Sequence, residues 1–297
     1  MAVSYCDVHL NSHQKETNQH GDIFFPIACY EDDMAQLDVP IHWHGELEYI
    51  YVTQGIVKLH VGTKPITLRQ GEAILINANI LHAVEHRENE ISVLKSLVFH
   101  PDVIAGNAYS CFYQELIAPI YGQKNLPYFI MDGKREWHHV FAKRMMQAWE
   151  MICDEEEEYT IEARYQLSKA FKLLTQHLNE LPVEMHQDHY VQERVRILLG
   201  YIEEHYQDNI TNTTLANLVA CSESVLLRNF KSTVGTSPMH YLLNYRIQQA
   251  AKLLLETDMK STTIALTVGF NDISYFTKMF RKIVGTTPLQ FRKANKG

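Results

Sequence analysis

Residues 226–238 read LLRNFKSTVGTSP, and fifty positions later residues 276–288 read FTKMFRKIVGTTP. Phe230 aligns with Phe280, Lys231 with Arg281, Val234–Gly235–Thr236 with Val284–Gly285–Thr286, and Pro238 with Pro288. Arg228 aligns with Lys278 and Ser224 with Ser274. So many matches in one register imply two copies of one structural unit. Each copy reads as two short helices around a tight turn. In the first, Thr211 can cap a helix holding Leu215, Ala216 and Leu218; the chain turns at Ala220–Cys221, and Ser222 caps the second helix, ESVLLRNFKSTV. In the second, TTIALTV ends at Gly269, which is free to take positive φ, and Asn271 or Asp272 caps the helix that follows. The i,i+4 pairs Leu226/Phe230 and Phe276/Phe280 mark the core face of each second helix. The outer faces then carry Glu223, Ser224, Leu227 and Arg228 in one copy and Ile273, Ser274, Thr277 and Lys278 in the other. In helix-turn-helix units that face meets base edges in the major groove, so these eight residues are the candidate DNA contacts. Between the copies, residues 241–256 read as one helix of roughly 24 Å.

Charge divides along the same line. The 297-residue chain has a net charge of −8. Residues 190–297 hold 13 Lys and Arg against 8 Asp and Glu, and the first 189 residues hold 14 against 27. An acidic body joined to a basic tail suggests that only the tail seeks a polyanion. Five scattered cysteines, never in CxxC spacing, read as reduced thiols of a cytoplasmic protein rather than a disulfide frame or zinc knuckle. The N-terminus shows no basic and apolar signal pattern, and no apolar run approaches the ~18 residues of a membrane span, so no membrane partner is expected.

Ahead of the tail, residues 23–99 alternate with period two. LEYIYVTQG, VKLHVGTKPITLRQG and EAILINANILHAVEH read as short strands broken by Gly55, Gly62 and Gly71, the pattern of a small barrel or double-sheet roll. From about 101 to 181 the pattern turns helical. Trp137, Phe141, Met145, Ala148 and Ile152 form one stripe, and Leu167, Phe171, Leu174 and Leu178 another. The acidic run Asp154–Glu158 between them reads as a solvated loop opening the next helix. The predicted organisation is α+β and multidomain. Residues 1–181 form a first domain, with a barrel at about 23–100 and a helical region at about 103–181 whose apolar stripes would form a dimer interface or cover their own barrel; 182–189 form a linker; 190–297 form an all-α domain of two helix-turn-helix units and a linker helix.

Within PIHWHGELEYIYVTQG, residues 40–55, the chain fits H-x-H-x3-E-x6-G from His42 and His44 through Glu48 to Gly55, and His82 follows downstream. Positions 42, 44 and 48 share parity, which predicts one face of a strand for all three, pointing into the barrel, with His82 coming from the opposing strand. Three imidazoles and a carboxylate suit a divalent Fe, Mn, Ni, Zn or Co ion, or hydrogen bonds to an effector. Trp43, Tyr49, Tyr51 and His60 add aromatic faces nearby; Tyr49 and Tyr51 have the opposite parity and are expected on the other side of the sheet.

The stretches LANLVACSESVLLRNFKSTVGTSPMHYLLNYRIQQAAKLLLET and IALTVGFNDISYFTKMFRKIVGTTPLQFR resemble the DNA-binding domain of AraC/XylS-type transcription regulators. The His42–Gly55 and Gly71–His82 segments resemble the two motifs of a cupin barrel. There are departures: Asn212 and Ser261 replace apolar residues, Lys278 replaces Arg, and Asn77 and Asn79 replace Pro and Gly. The resemblance implies a sequence-specific, double-stranded-DNA-binding regulator and not an enzyme. Its cupin would bind a sugar or related metabolite at His42, His44, Glu48 and His82, with a divalent metal as a candidate cofactor held by the same four. It implies a homodimer, an amino-terminal arm within residues 1–22, and RNA polymerase as a candidate partner if the output is activation. Activation and repression both stay open. The alternative from another class is a cupin metalloenzyme of dioxygenase or isomerase type.

Overall fold

The computed structural model describes residues 8–10, 14–35, 39–85, 91–123, 125–154, 158–180 and 187–295. Residues 155–157 of the acidic run, 182–186 of the expected linker, and Cys6 lie outside them. The chain divides into two compact units, Met1–Glu193 and Arg194–Gly297.

The first unit is two antiparallel sheets backed by helices. Its strands are β1 (Ile27–Asp33), β2 (Val39–His42), β3 (Leu47–Gln54), β4 (Ile56–Val61), β5 (Lys64–Arg69), β6 (Ala73–Ile76), β7 (His82–Val84), β8 (Val93–Phe99) and β9 (Tyr128–Met131). They order as β1-β8-β3-β6-β9 and β2-β7-β4-β5. Alternation sorts side chains onto two layers. Ile50, Val52, Ile74 and Ile76 of the larger sheet meet Val57, Leu59, Val61 and Leu68 of the smaller one. On the opposite parity, Leu47, Tyr49, Leu75, Leu97 and Phe99 face the helices. Those are α1 (Asp102–Ala105), a π-helical turn (Tyr113–Ile117), α2 (Glu136–Asp154) and α3 (Tyr159–Gln176). Trp137, Phe141, Met145, Ala148 and Ile152 of α2 and Leu167, Phe171 and Leu174 of α3 are buried in that same layer. Both apolar stripes are therefore used within the chain's own unit. Each buried aromatic or leucine there contributes about 1.5–3 kcal/mol.

Two expectations change. The region 103–181 is not purely helical: YFIM forms β9, an edge strand pairing Ala73–Ile76 with Met131–Tyr128. Four residues carry no readable period, and only the open edge of β6 makes them a strand. The helix expected from Tyr190 opens at Gln187, inside the expected 182–189 linker.

The second unit contains most of α4 (Gln187–Glu204), then α5 (Asn212–Leu218), α6 (Glu223–Val234), α7 (Pro238–Glu256), α8 (Ser261–Thr267), α9 (Ile273–Val284) and α10 (Pro288–Asn295). The long helix starts at Pro238, capped by Ser237, earlier than Tyr241. Its 19 residues span roughly 28 Å. The duplication reaches further than the sequence match. Arg246 of α7 donates to the carbonyls of Tyr206 and Asp208, and Arg292 of α10 donates to those of Leu254 and Met259. Each helix-turn-helix thus has its lead-in loop fastened by an arginine fork from the helix that follows it.

Candidate functional site

Where β2 turns into β3, four polar side chains interrupt the apolar layer. His42, His44, Glu48 and His82 are all buried, and one ligand atom of each lies within 4.8 Å of the others. Shared parity along one strand is not what brings them together. His42 ends β2 in the smaller sheet, His44 lies in the turn, and Glu48 belongs to β3 in the larger sheet. His42 and His82 are direct cross-strand partners on β2 and β7, with ring centroids 4.1 Å apart. Glu48 reaches them from the facing sheet, on the parity of Ile50 and Val52. The turn holding His44 is tied to the one before His82 by Asn79 N–H donating to the His44 carbonyl at 2.8 Å.

Hydrogen bonds fix which nitrogen faces inward. His42 Nδ1 donates to the Pro40 carbonyl and His82 Nδ1 to the Ile80 carbonyl, each at 2.8 Å. A carbonyl only accepts, so both Nδ1 atoms carry the proton and each Nε2 turns into the cluster. Glu48 Oε2 lies 2.7 Å from His82 Nε2 and 3.3 Å from His44 Nε2. Burial raises the Glu48 carboxyl, but His82 and His44 outweigh it and hold it well below the usual carboxylate range. Burial lowers His82, and Glu48 overcomes that and raises it. Burial, with the neighbouring His82 and His44, keeps His42 well below the ordinary imidazole range.

The donor set fits a divalent cation. Donors on opposite sides of an ion with bonds of about 2.0–2.2 Å stand about 4.0–4.4 Å apart. The 4.8 Å spread closes onto that with shifts of a few tenths of an ångström. Of the aromatic neighbours, Tyr49 packs against Phe141 beneath the helices and Tyr51 lies on the same side. His60 faces Glu85 at 2.7 Å, away from the cluster. Trp43 pairs with residues 14–16 of the amino-terminal segment.

Two residues beside the cluster were not singled out from the sequence. Glu16 and His20 are buried, and Glu16 Oε2 lies 3.4 Å from His20 Nε2 and 3.7 Å from His42 Nε2. No local period marks them; only their pairing with a distant strand brings them in.

In the second unit, the expected faces of α6 and α9 are as the i,i+4 pattern required. Leu226, Phe230, Phe276 and Phe280 are buried. Glu223, Ser224, Leu227, Arg228, Ile273, Ser274 and Lys278 are exposed, and Thr277 is half-buried. Neither Arg228 nor Lys278 has an ion-pair partner among the described residues. Glu223 accepts a hydrogen bond from Thr213 Oγ1, and Thr277 Oγ1 donates to the Ile273 carbonyl. Ser222 caps α6, and Asp272, not Asn271, caps α9 by accepting from Ser274 N and Tyr275 N.

Residues 215–294 match the family model of a helix-turn-helix domain, and residues 34–99 match that of a cupin domain. The chain belongs to the AraC/XylS-type transcription regulators with an amino-terminal cupin. Over 290 residues it is 28% identical to the uncharacterized HTH-type transcriptional regulator YdeC of Bacillus subtilis strain 168, covering 96% of this chain and 98% of that one. It is 24% identical over 287 residues to the HTH-type transcriptional activator RhaS of Shigella sonnei strain Ss046, covering 94% and 98%. The C-terminal domain of the response regulator yesN from Fusobacterium nucleatum is 37% identical, covering 32% of this chain and 94% of that one, with a TM-score of 0.32. This AraC-type regulator binds DNA through its helix-turn-helix domain, and none of its described helices is long and apolar enough to cross a membrane.

The two cupin-motif departures of this regulator have local explanations. Asn79 adopts φ 62°, a left-handed conformation that asparagine tolerates better than most residues. Asn77 is buried and donates to the carbonyls of Ile120 and Leu126, while its Oδ1 accepts from Ala78 N and Gly122 N. It fastens the loop leading into β9.

Proposed function

We propose that this regulator senses a small hydroxyl-bearing effector, a sugar or related metabolite, at His42, His44, Glu48 and His82, and that occupancy alters DNA binding by the tail. The observation that carries this reading is the buried cluster with two Nε2 atoms turned inward by carbonyl-held Nδ1–H groups. A divalent metal on the same four residues is part of the proposal; when bound it supplies a Lewis-acid point for effector oxygens. His42 and His82 orient the site through their backbone bonds, and Glu48 supplies the negative charge. The chain acts as a sensor rather than as a dioxygenase- or isomerase-type enzyme. Support comes from the tail, since a duplicated helix-turn-helix has no use in a standalone enzyme.

In the tail, Ser224, Leu227, Arg228, Ile273, Ser274 and Lys278 make the direct base or phosphate contacts, with Glu223 and Thr277 at the margin because their oxygens are already engaged. The proposed division is a sensing domain over 1–181, a linker within 182–189 and a DNA-binding domain over 190–297. Val140, Ile161 and Tyr165 stay exposed on α2 and α3 and support a homodimer. A cytoplasmic location, with contact to RNA polymerase where the output is activation, completes the reading.

The test is a thermal-shift screen of the full chain and of His82→Ala against sugars, organic acids and divalent metals. A ligand that raises the melting temperature of the wild type but not of the variant, and that changes operator affinity, supports the proposal. Equal shifts in both proteins place the effector elsewhere.

A further inference from the structure

The amino-terminal segment puts a second carboxylate beside the four-residue cluster. Glu16 N donates to the Trp43 carbonyl at 2.9 Å and Trp43 N donates to the Gln14 carbonyl at 3.0 Å. Trp43 lies between His42 and His44, so this pairing sets the register of Glu16 against both histidines. The Glu16 side chain is 6% exposed as a residue and His20 5%. His20 Nδ1 is 2.9 Å from the Tyr30 hydroxyl, which turns its Nε2 toward Glu16. The rings of His20 and His44 are 5.7 Å apart.

Glu16 is not balanced by what surrounds it. Among the described residues, its ionisable neighbours within 4 Å are the imidazoles of His20 and His42. Among the described residues its Oε1 has no hydrogen-bond partner, and neither does His20 Nε2. A carboxylate withdrawn from water costs several kcal/mol unless a cation or a full set of donors compensates. A divalent ion held by three neutral imidazoles and Glu48 alone would leave one net positive charge in the same interior. Each imbalance is the remedy of the other.

We propose that Glu16 is an outer, charge-balancing carboxylate of the cation site: held by His20, it stands beside His42 and neutralises a divalent ion bound by His42, His44, Glu48 and His82. This rests on the reading of the four residues as a cation site and adds the group that neutralises it. Cation binding then fastens residues 14–20 more firmly against Trp43 and the sheet.

The experiment uses the full chain, stripped with chelator and titrated with Co2+, as wild type, Glu16→Gln and His82→Ala. Affinity and the cobalt d–d spectrum are read, together with hydrogen exchange of residues 14–20 with and without Co2+. Wild type binds one Co2+. Glu16→Gln binds it about 10–100-fold more weakly, the loss typical of removing an outer group of a metal site. Its spectrum is altered, and Co2+ slows exchange of residues 14–20 in wild type but not in the variant. The metal-free melting temperature of Glu16→Gln stays level or rises, because the substitution removes a buried charge. Wild-type affinity and spectrum in Glu16→Gln, with binding lost in His82→Ala, overturn the role of Glu16 and leave the four-residue site standing. A lower metal-free melting temperature with unchanged Co2+ affinity gives Glu16 a packing role and overturns it equally. No Co2+ binding by wild type overturns both readings.

Discussion

Ala220 and Gly269 occupy the same place in the two helix-turn-helix units, the bend between the first and second helices, and both have positive φ, 48° and 87°. Exchanging the residue types should move stability in opposite directions. An L-residue in the left-handed region costs about 1–2 kcal/mol, while replacing alanine by glycine costs about 0.4–1 kcal/mol through the entropy of the unfolded chain. Ala220 is exposed, so its methyl group adds little by burial. Ala220→Gly should therefore stabilise the tail by about 0.5–1 kcal/mol. At Gly269 the space is also filled: a Cβ would meet the Gln207 carbonyl oxygen at 2.7 Å, and the Tyr206 carbonyl oxygen and Arg246 Nη2 at 2.9 Å. Those two carbonyl-bearing residues sit in the loop fastened by Arg246, so little can give way. Adding about 1–3 kcal/mol for overpacking, Gly269→Ala should cost about 2–4 kcal/mol. Urea unfolding can isolate the tail, because Trp43, Trp137 and Trp149 all lie in the first unit. Tryptophan fluorescence then follows that unit, while far-UV circular dichroism follows both, and the transition seen only by dichroism belongs to the tail. A neutral or destabilising Ala220→Gly, or a Gly269→Ala cost below 1 kcal/mol, would refute the equivalence of the two bends.

Arg228→Ala and Lys278→Ala should each weaken specific DNA binding by roughly 1–3 kcal/mol in a titration at fixed salt, with unchanged melting temperature, because both side chains are exposed and have no ion-pair partner among the described residues. A loss equal on every duplex would make them phosphate contacts. DNA affinity should fall with salt at a log–log slope of about −0.9 per phosphate neutralised, and a flat plot would contradict the assignment of the tail. Asp272→Ala removes the cap of α9 and should lower tail stability by about 1 kcal/mol, read from the same dichroism transition. Asn77→Ala leaves the Ile120 and Leu126 carbonyls without their side-chain donor; a loss of about 1–3 kcal/mol in the tryptophan-detected transition is expected.

What the sequence determined by itself was the part built from near neighbours. Capping residues, i,i+4 pairs and turn residues act over four or five positions, so α5, α6, α8 and α9 and the faces of the second helices were legible from Thr211, Ser222, Phe230, Gly269 and Phe280. The H-x-H-x3-E spacing likewise named His42, His44 and Glu48, because the motif carries its own turn. The shared parity of those residues proved a coincidence of numbering: the turn breaks the alternation, and two different sheets supply the ligands. The opposing strand for His82 was expected; only tertiary structure decided the register that pairs it directly with His42, that Glu48 faces them from the other layer, and that YFIM becomes a strand. Only the pairing of residues 14–16 with Trp43 brought Glu16 and His20 to the same place. Strand register depends on hydrogen bonds between segments tens of residues apart, and no periodicity within either segment encodes it.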